Sequence, residues 1–491
     1  MVRPWSLCWL AAPAALAGCA VGPNYRAPAP ATLAVPPAYS TPATAGAVPD
    51  LQRWWERFDD PQLNAAVDLA LKQNLDIAQA VARLRQAREQ LIQSRASLFP
   101  SVGANASYSR NINIRGRTFG QITNAGIVNE NYALSGDVSY TADIFGGVRR
   151  SVESARGSYQ ASGYNLAQVQ ATIASEVARN YILARAAQAS IAIARGSLAI
   201  QDDNLEIAGF RVQAGLVSSL DAEQSRSQRA QTAANIPSLQ QQFEQAANRL
   251  GVLTGQAPGA LKAELEAARP IPLGANTVPV GVPADVLRLR PDVMAAERTL
   301  AAATAQIGVA KAALLPQLTL SGSISSNASS INALTDIITG RVFGQLAQTI
   351  FDAGRNRSVV RARRAQAEES FAAYKSTVLQ ALEDVENALT ALATAEARQR
   401  ELLVAAEASE NAAVLARSQY RAGLTDITTL NNTESALLTA RSGLNDARSA
   451  QAQALVQLYL ALGGGWNPAA PPPIAQPLLS GDGQPAVARP Q

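Results

Sequence analysis

The chain has 491 residues, with 42 Lys and Arg against 38 Asp and Glu, a formal charge of +4 and no histidine. Charges of both signs are interspersed along helical patterns, which reads as solvated faces and not as a nucleic-acid surface. Cys8 and Cys19 are the only cysteines. The chain therefore lacks the imidazole and thiolate clusters of most zinc or copper centres, and the Ser-His-Asp or Cys-His sets of nucleophilic catalysis. No compact acidic constellation replaces them, so no catalytic residue, metal ligand or cofactor is expected.

Residues 1–18 combine Arg3 with an apolar stretch from Trp5 to Ala17, the pattern of an export signal peptide. The stretch is shorter than the roughly 20 apolar residues that a membrane-spanning helix needs. Leu16-Ala17-Gly18-Cys19 resembles the bacterial lipobox, which implies cleavage before Cys19 and its modification by S-diacylglycerol and an N-acyl chain. Such acylation holds a chain at a membrane surface. Ala20, in place of an aspartate, implies by the same resemblance sorting to the outer membrane. Residues 19–60, Pro/Ala/Thr-rich from Pro23 to Pro49, read as a lipidated, extended and poorly ordered tether, and residues 464–491 as a Pro-rich tail.

The body is written twice. Asn74-Leu-Asp-Ile77 matches Arg290-Pro-Asp-Val293, and Arg95-Ala-Ser-Leu-Phe-Pro100 matches Lys311-Ala-Ala-Leu-Leu-Pro316, both 216 residues apart. Arg150-Ser-Val152 then matches Arg357-Ser-Val359 at 207, and Ala214-Gly-Leu216 matches Ala422-Gly-Leu424 at 208. Residues 61–255 form the first copy and 286–463 the second, joined by a Pro- and Gly-containing linker over 256–285. Two copies are too few for a solenoid, so a ring closed by oligomerisation is the better use of them.

In chain order, each copy predicts helix, β-hairpin (about 100–145 and 316–351), long helix, turn (near 215 and 423) and helix. Proline is absent between Pro100 and Pro237 and between Pro316 and Pro468. Helices from near Arg150 to Gln213 and from near Arg357 to Arg421 would each run about 60 residues, or about 90–100 Å. Phe371, Tyr374, Val378, Leu382, Val385, Leu389 and Leu392 step by three and four, as in a coiled-coil seam. Strands are expected from Ser101 to Arg110, around Leu134–Tyr140, from Gln317 to Ser326 and from Val342 to Phe351, with alternate residues apolar or small. Each is about 10 residues, the span of a tilted strand in a bilayer. Four strands cannot close a membrane barrel, because an open edge in lipid leaves backbone groups unpaired; several chains would have to share one. Pro237 stands where the second copy has Asn445, which predicts a bend in one copy only.

Cys19-Ala-Val-Gly-Pro-Asn-Tyr25, Leu287-Arg-Leu-Arg-Pro-Asp-Val293, Ala312-Ala-Leu-Leu-Pro316, Ile350-Phe-Asp-Ala-Gly-Arg355, Tyr420-Arg-Ala-Gly-Leu424 and Leu462-Gly-Gly-Gly-Trp466 together resemble the outer membrane factor family, the TolC-like and OprM-like ducts, here of the NodT-type lipoprotein kind. The resemblance implies a membrane α+β fold: an internally duplicated, long periplasmic α-helical barrel, with four transmembrane β-strands per chain in a shared twelve-stranded barrel. It also implies a homotrimer in the cell outer membrane. The partners would be outer-membrane lipid, a periplasmic adaptor (membrane fusion) protein and an inner-membrane transporter of the resistance-nodulation-division (RND) type. The duct would passively export drugs or other toxic compounds. A lipid-anchored coiled-coil scaffold or adaptor without a pore, and a protein-secretion duct, are the alternatives.

The periplasmic tip should lie where the long helices reverse. Gly215 and Gly423 sit at those points, where a left-handed residue commonly ends a helix. Ser218, with Asp221 three residues on, resembles an N-cap, and Thr425 or Asp426 could cap the equivalent helix. Adaptor docking is assigned to Arg211, Gly215, Leu216, Ser218, Tyr420, Gly423, Leu424 and Thr425. Several relatives carry aspartates six and nine residues beyond the second glycine, where this chain has Thr429 and Asn432. The candidate gate charges are therefore Asp221 and Asp426.

Overall fold

The computed structural model describes residues 20–41, 50–112, 128–274, 278–281 and 283–467. The expected signal segment, Cys19 and the chain from Pro468 onward lie outside the described residues. The longer elements are α1 (Pro61–Gln73), α2 (Leu75–Ala96), β1 (Ser101–Ile112), β2 (Val128–Ala142), α3 (Gly147–Gln213), α4 (Ser219–Leu253), α5 (Pro291–Ala312), β3 (Gln317–Ala328), β4 (Thr339–Ala347), α6 (Arg355–Arg421) and α7 (Ile427–Ala461).

The repeat is visible in element lengths. Helices α2 and α5 have 22 residues each, β1 and β3 have 12, α3 and α6 have 67, and α4 and α7 have 35. Equivalent positions are 216 apart through the first strand of each hairpin and 208 apart from the start of each long helix. The 207-residue match of Arg150 with Arg357 is thus a coincidence of residue type: both ends of α3 and α6 correspond at 208. The difference is absorbed within the hairpins, where β2 has 15 residues and β4 has 9.

Two units divide the chain. Among the described residues, the strand unit comprises 20–27, 86–112, 128–161 and 297–373; the helical unit comprises 28–41, 50–85, 162–274, 278–281, 283–296 and 374–467. In the strand unit, four antiparallel strands form one sheet in the order β1-β2-β3-β4. The register runs from Ser101 opposite Ser139, through Tyr140 opposite Leu320, to Leu318 opposite Leu346. Because side chains alternate along a strand and paired residues share a face, this register sorts the sheet into two faces. Val102, Ala106, Tyr108, Leu134, Val138, Leu320, Ile324, Val342 and Leu346 lie on one; Ser107, Ser135, Asp137, Ser139, Thr319, Ser321, Ser323 and Gln345 lie on the other. Strand β4 ends at Ala347, so the expected strand from Val342 to Phe351 is corrected: it begins three residues earlier and stops before Ile350 and Phe351.

Residues 20–25 are not a loose tether. The Val21 N–H donates to the Phe145 carbonyl at 3.0 Å. The buried Arg150 guanidinium reaches the carbonyls of Val21 and Gly22 and, at 2.6 Å, Asn24 Oδ1. Tyr25 donates to Glu297 at 3.1 Å and lies under Arg298.

The helical unit is organised around aromatic packing. Trp54, Trp55 and Phe58, within the segment read as tether, are buried core residues, and Trp54 stacks on Tyr459 at 5.5 Å. The Ser40 and Thr41 N–H groups donate to Glu386 at 2.5 and 3.0 Å. The expected 19–60 tether is therefore corrected to a docked strap followed by core, at least over its described residues. Asp60 caps α1 through the Gln62 and Leu63 N–H groups, with Pro61 at the first helical position, where its missing N–H costs nothing. In the seam of α6, Tyr374, Val378, Leu382, Val385, Leu389 and Leu392 are buried, while Phe371 is 36% exposed.

Helices α4 and α7 end in the same way. Gly255 and Gly463 adopt φ of +72° and +82°. In each, the glycine N–H bonds three residues back and the following N–H five residues back, the paired closure of a Schellman turn. A Cβ on Gly255 would stand 2.4 Å from the Gln73 carbonyl oxygen, and one on Gly463 2.7 Å from that of Leu289. Asn74 and Arg290, the next residues, each donate to the last carbonyl of the helix: Asn74 to Leu253 at 2.8 Å and Arg290 to Ala461 at 3.1 Å. Trp466 donates to Leu289 at 2.9 Å and is buried, so 464–466 are packed and do not begin a free tail. The linker, too, is held: Arg185, fully buried, donates to the Leu265 and Ala267 carbonyls.

Candidate functional site

The helix reversals, within the helical unit, gather most of the residues singled out from sequence. Gly215 and Gly423 have φ of +68° and +77°. Leu216 N–H bonds the Arg211 carbonyl at 2.9 Å and Gly215 N–H that of Val212 at 3.0 Å; Leu424 and Gly423 repeat this on Gln419 and Tyr420 at 2.8 and 3.0 Å. Both turns are therefore Schellman closures, which satisfy the final carbonyls of a helix.

Each returning helix is capped. Ser218 accepts from the Leu220 N–H at 3.2 Å. Of Thr425 and Asp426, it is Asp426 that caps, accepting from the Thr429 N–H at 2.7 Å. That backbone bond is the main reason the Asp426 carboxyl is held below its ordinary range. Asp221 lies in the first turn of α4, a position favourable for a carboxylate.

Arg211 joins the two turns. It donates to the Tyr420 carbonyl at 3.1 Å, its guanidinium lies 4.8 Å from the Tyr420 ring centre, and it flanks Gly423. Burial raises the Tyr420 hydroxyl; the Arg211 charge works against that shift and the Asp221 charge adds to it. Tyr420 packs with Ala416, Ile427, Leu430 and Ile207. Leu216 and Leu424 remain 70% and 79% exposed. An arrangement of two equivalent turns, each presenting an exposed leucine above a fixed backbone, can bind a partner. Among the described residues no group of three or more His, Cys, Asp or Glu side chains could hold a metal.

The sequence reading missed one pair. Glu434 is buried on α7 and forms an ion pair with Arg417 of α6 at 2.6 Å; burial raises its carboxyl against the pull of Arg417. The signal was present, because Ile427, Leu430, Glu434 and Leu437 step by three and four, which places an acid in an apolar seam. Thr429 and Asn432 are exposed one and two turns from the cap.

Among the described residues no helix is long and apolar enough to cross a membrane. The candidate for that role is the sheet, with one apolar face and two open edges.

Comparison with known proteins places the chain in a family. The family model described as outer membrane efflux protein matches twice, over residues 66–256 and 282–464. Nodulation protein T of Rhizobium leguminosarum bv. trifolii is 32% identical, across 93% of this chain and 96% of its own. The pyoverdine export outer membrane protein OpmQ of Pseudomonas putida is 32% identical, across 96% of this chain and 100% of its own. Among solved structures, the outer-membrane channel OprN is similar with a TM-score of 0.83 and 34% identity, covering 91% of this chain and 100% of that one. The open state of the MtrE outer membrane channel of Neisseria gonorrhoeae gives 0.80 and 26%, covering 91% and 99%. Duplicated helices, a split four-stranded sheet and two equivalent reversal turns all fall within the matched segments, and the chain belongs to the outer membrane efflux protein family.

Proposed function

We propose that this chain is the outer-membrane exit duct of a tripartite efflux pump, in which three copies close their sheets into one twelve-stranded barrel. The observation that carries the reading is the sheet itself. Both outer strands, β1 and β4, are exposed along their whole length on both faces, Val102 by 78% and Val342 by 93%. An exposed apolar face with unpaired edges is an aggregation hazard in water and cannot stand in lipid unless closed. Closure needs about eight strands at least, so further copies must supply them. The serine- and threonine-rich face then lines a wet lumen, and the apolar face meets lipid.

In this reading the duct consumes no energy and performs no catalysis. An inner-membrane RND transporter selects the substrate, and a periplasmic adaptor docks on the turns at Arg211–Ser218 and Tyr420–Thr425, with Asp221 and Asp426 as charges at the constriction. Cys19, acylated after cleavage of residues 1–18, adds a lipid anchor. The test is a Ser107→Cys, Gln345→Cys double variant, which places one thiol on each sheet edge. Mild oxidation should give a ladder ending at three chains, and the purified protein should conduct ions across a planar bilayer. A chain that stays monomeric and non-conducting would favour a poreless scaffold.

A further inference from the structure

We propose that the strand unit contains a cradle for one acyl chain carried by its own Cys19, so that the lipid is packed against protein as well as dissolved in the membrane. This rests on the reading of Cys19 as the acylated residue. A cavity of about 300 Å³ opens beside the base of the sheet, between the end of β2 and start of α3 on one side and the end of α5 on the other. Ala142, Ile144, Phe145, Val148, Val309 and Ala313 are among the apolar residues that line it. Its charged side chain, Asp143, is already engaged: the carboxylate accepts from the Val148 and Arg149 N–H groups, each at 2.9 Å, and pairs with Arg149. Ser97, Thr141, Ser151 and Gln317 complete the polar part of the lining. An apolar occupant does not strand the one charged group, because Asp143 keeps its partners.

The described chain begins beside this wall. Ala20 lies against Gly146: a Cβ on that glycine would stand 2.7 Å from the Ala20 Cα, and Gly146 has φ of +77°. Its neighbours Phe145 and Gly147 both line the cavity. Val21 is fixed to Phe145 and Arg150 by the bonds described above. Cys19 is one residue from Ala20, and consecutive Cα atoms are about 3.8 Å apart. The point of acyl attachment is thus tethered next to Ala20, within reach of the cavity wall. The occupant this geometry favours is a saturated hydrocarbon chain, not a soluble ligand.

The experiment is to express the full chain in cells fed a diazirine-bearing fatty acid, irradiate the membranes and map crosslinks by mass spectrometry. The expected result is a crosslink from the Cys19 acyl chain to peptides spanning 141–151 or 309–317 of the same chain. Ala313→Trp, a substitution at an exposed position on the cavity rim, should reduce that crosslink several-fold while the mass of the acylated N-terminus is unchanged. Acylated protein whose crosslinks reach only lipid or other segments overturns the cradle and leaves the anchor standing. A mature chain without acyl mass at Cys19 overturns both.

Discussion

The two copies of the repeat share element lengths to the residue in their three longest helices, yet they hold their reversal turns differently. Beyond the second turn, Ile427, Leu430, Glu434 and Leu437 form a buried seam with an ion pair inside it. At the equivalent positions 208 residues earlier stand Ser219, Ala222, Arg226 and Arg229, of which none is buried. Equal geometry has been kept by equal backbone closure at Gly215 and Gly423, while side-chain packing has diverged. Backbone turns set where a helix reverses; the seam sets how firmly.

The largest expected effect comes from exchanging residues between copies where a helix interior is involved. Pro237 lies within α4, and its counterpart Asn445 is buried and donates to the Ala186 carbonyl and Ser190, each at 2.9 Å. Asn445→Pro should cost about 3 kcal/mol or more, since it removes those bonds and forces a ring against the preceding turn. Pro237→Asn should cost far less. Thermal unfolding of the assembled protein compares them, and equal losses would mean that the copies tolerate proline alike.

Arg290 and Asn74 do the same task with different reach. Arg290 also pairs with Asp292 at 2.7 Å and Asp384 at 2.9 Å. Asp384 is half exposed, so Arg290→Ala is expected to cost about 2–3 kcal/mol, less than a fully buried pair would. Asn74→Ala, which removes a helix cap accepting from the Asp76 and Ile77 N–H groups and one carbonyl bond, should cost about 1–2 kcal/mol. Denaturant midpoints would rank the two.

Local opening should separate the turns next. Hydrogen exchange over Ser218–Arg229 is expected to outpace that over Asp426–Leu437, because fewer buried contacts oppose opening. Comparable protection would dissolve the contrast between the copies. The smallest effect is pH dependence in the second turn. Burial raises the Glu434 carboxyl, so the folded state binds its proton more tightly than the unfolded one. The resulting stabilisation is complete below the unfolded value and is lost as pH rises through the folded one. After correction for intrinsic rates, α7 should open less readily at pH 5 than at pH 7 in the wild type, and Glu434→Gln should remove the difference.

Much of this architecture could be read from the residues because it rests on local rules. Long proline-free stretches gave α3 and α6, and Gly215 and Gly423 marked their ends. What depended on a partner was misread. The apolar pair Ile350-Phe351 drew the expected fourth strand toward the C-terminus, whereas pairing of β4 with β3 fixes it at Thr339–Ala347. Trp54, Trp55 and Phe58 sit in a segment whose composition suggested a tether, and only Tyr459, some 400 residues away, shows that they are core. At the turns, Arg211 and Tyr420 were singled out, but their mutual contact is a tertiary fact. Glu434 was legible as a polar residue in an apolar stripe and was passed over.

The sheet order carries a genetic consequence. With β1 and β4 as the two margins, every joint between copies in the proposed ring is head-to-tail, so each subunit both gives and receives one. A variant damaged only along β4 would still be accepted by a healthy neighbour through its sound β1 margin, and would then leave the ring unfinished. In a cell making both forms, finished rings of three would fall as the cube of the healthy fraction, so such an allele should behave as dominant rather than silent.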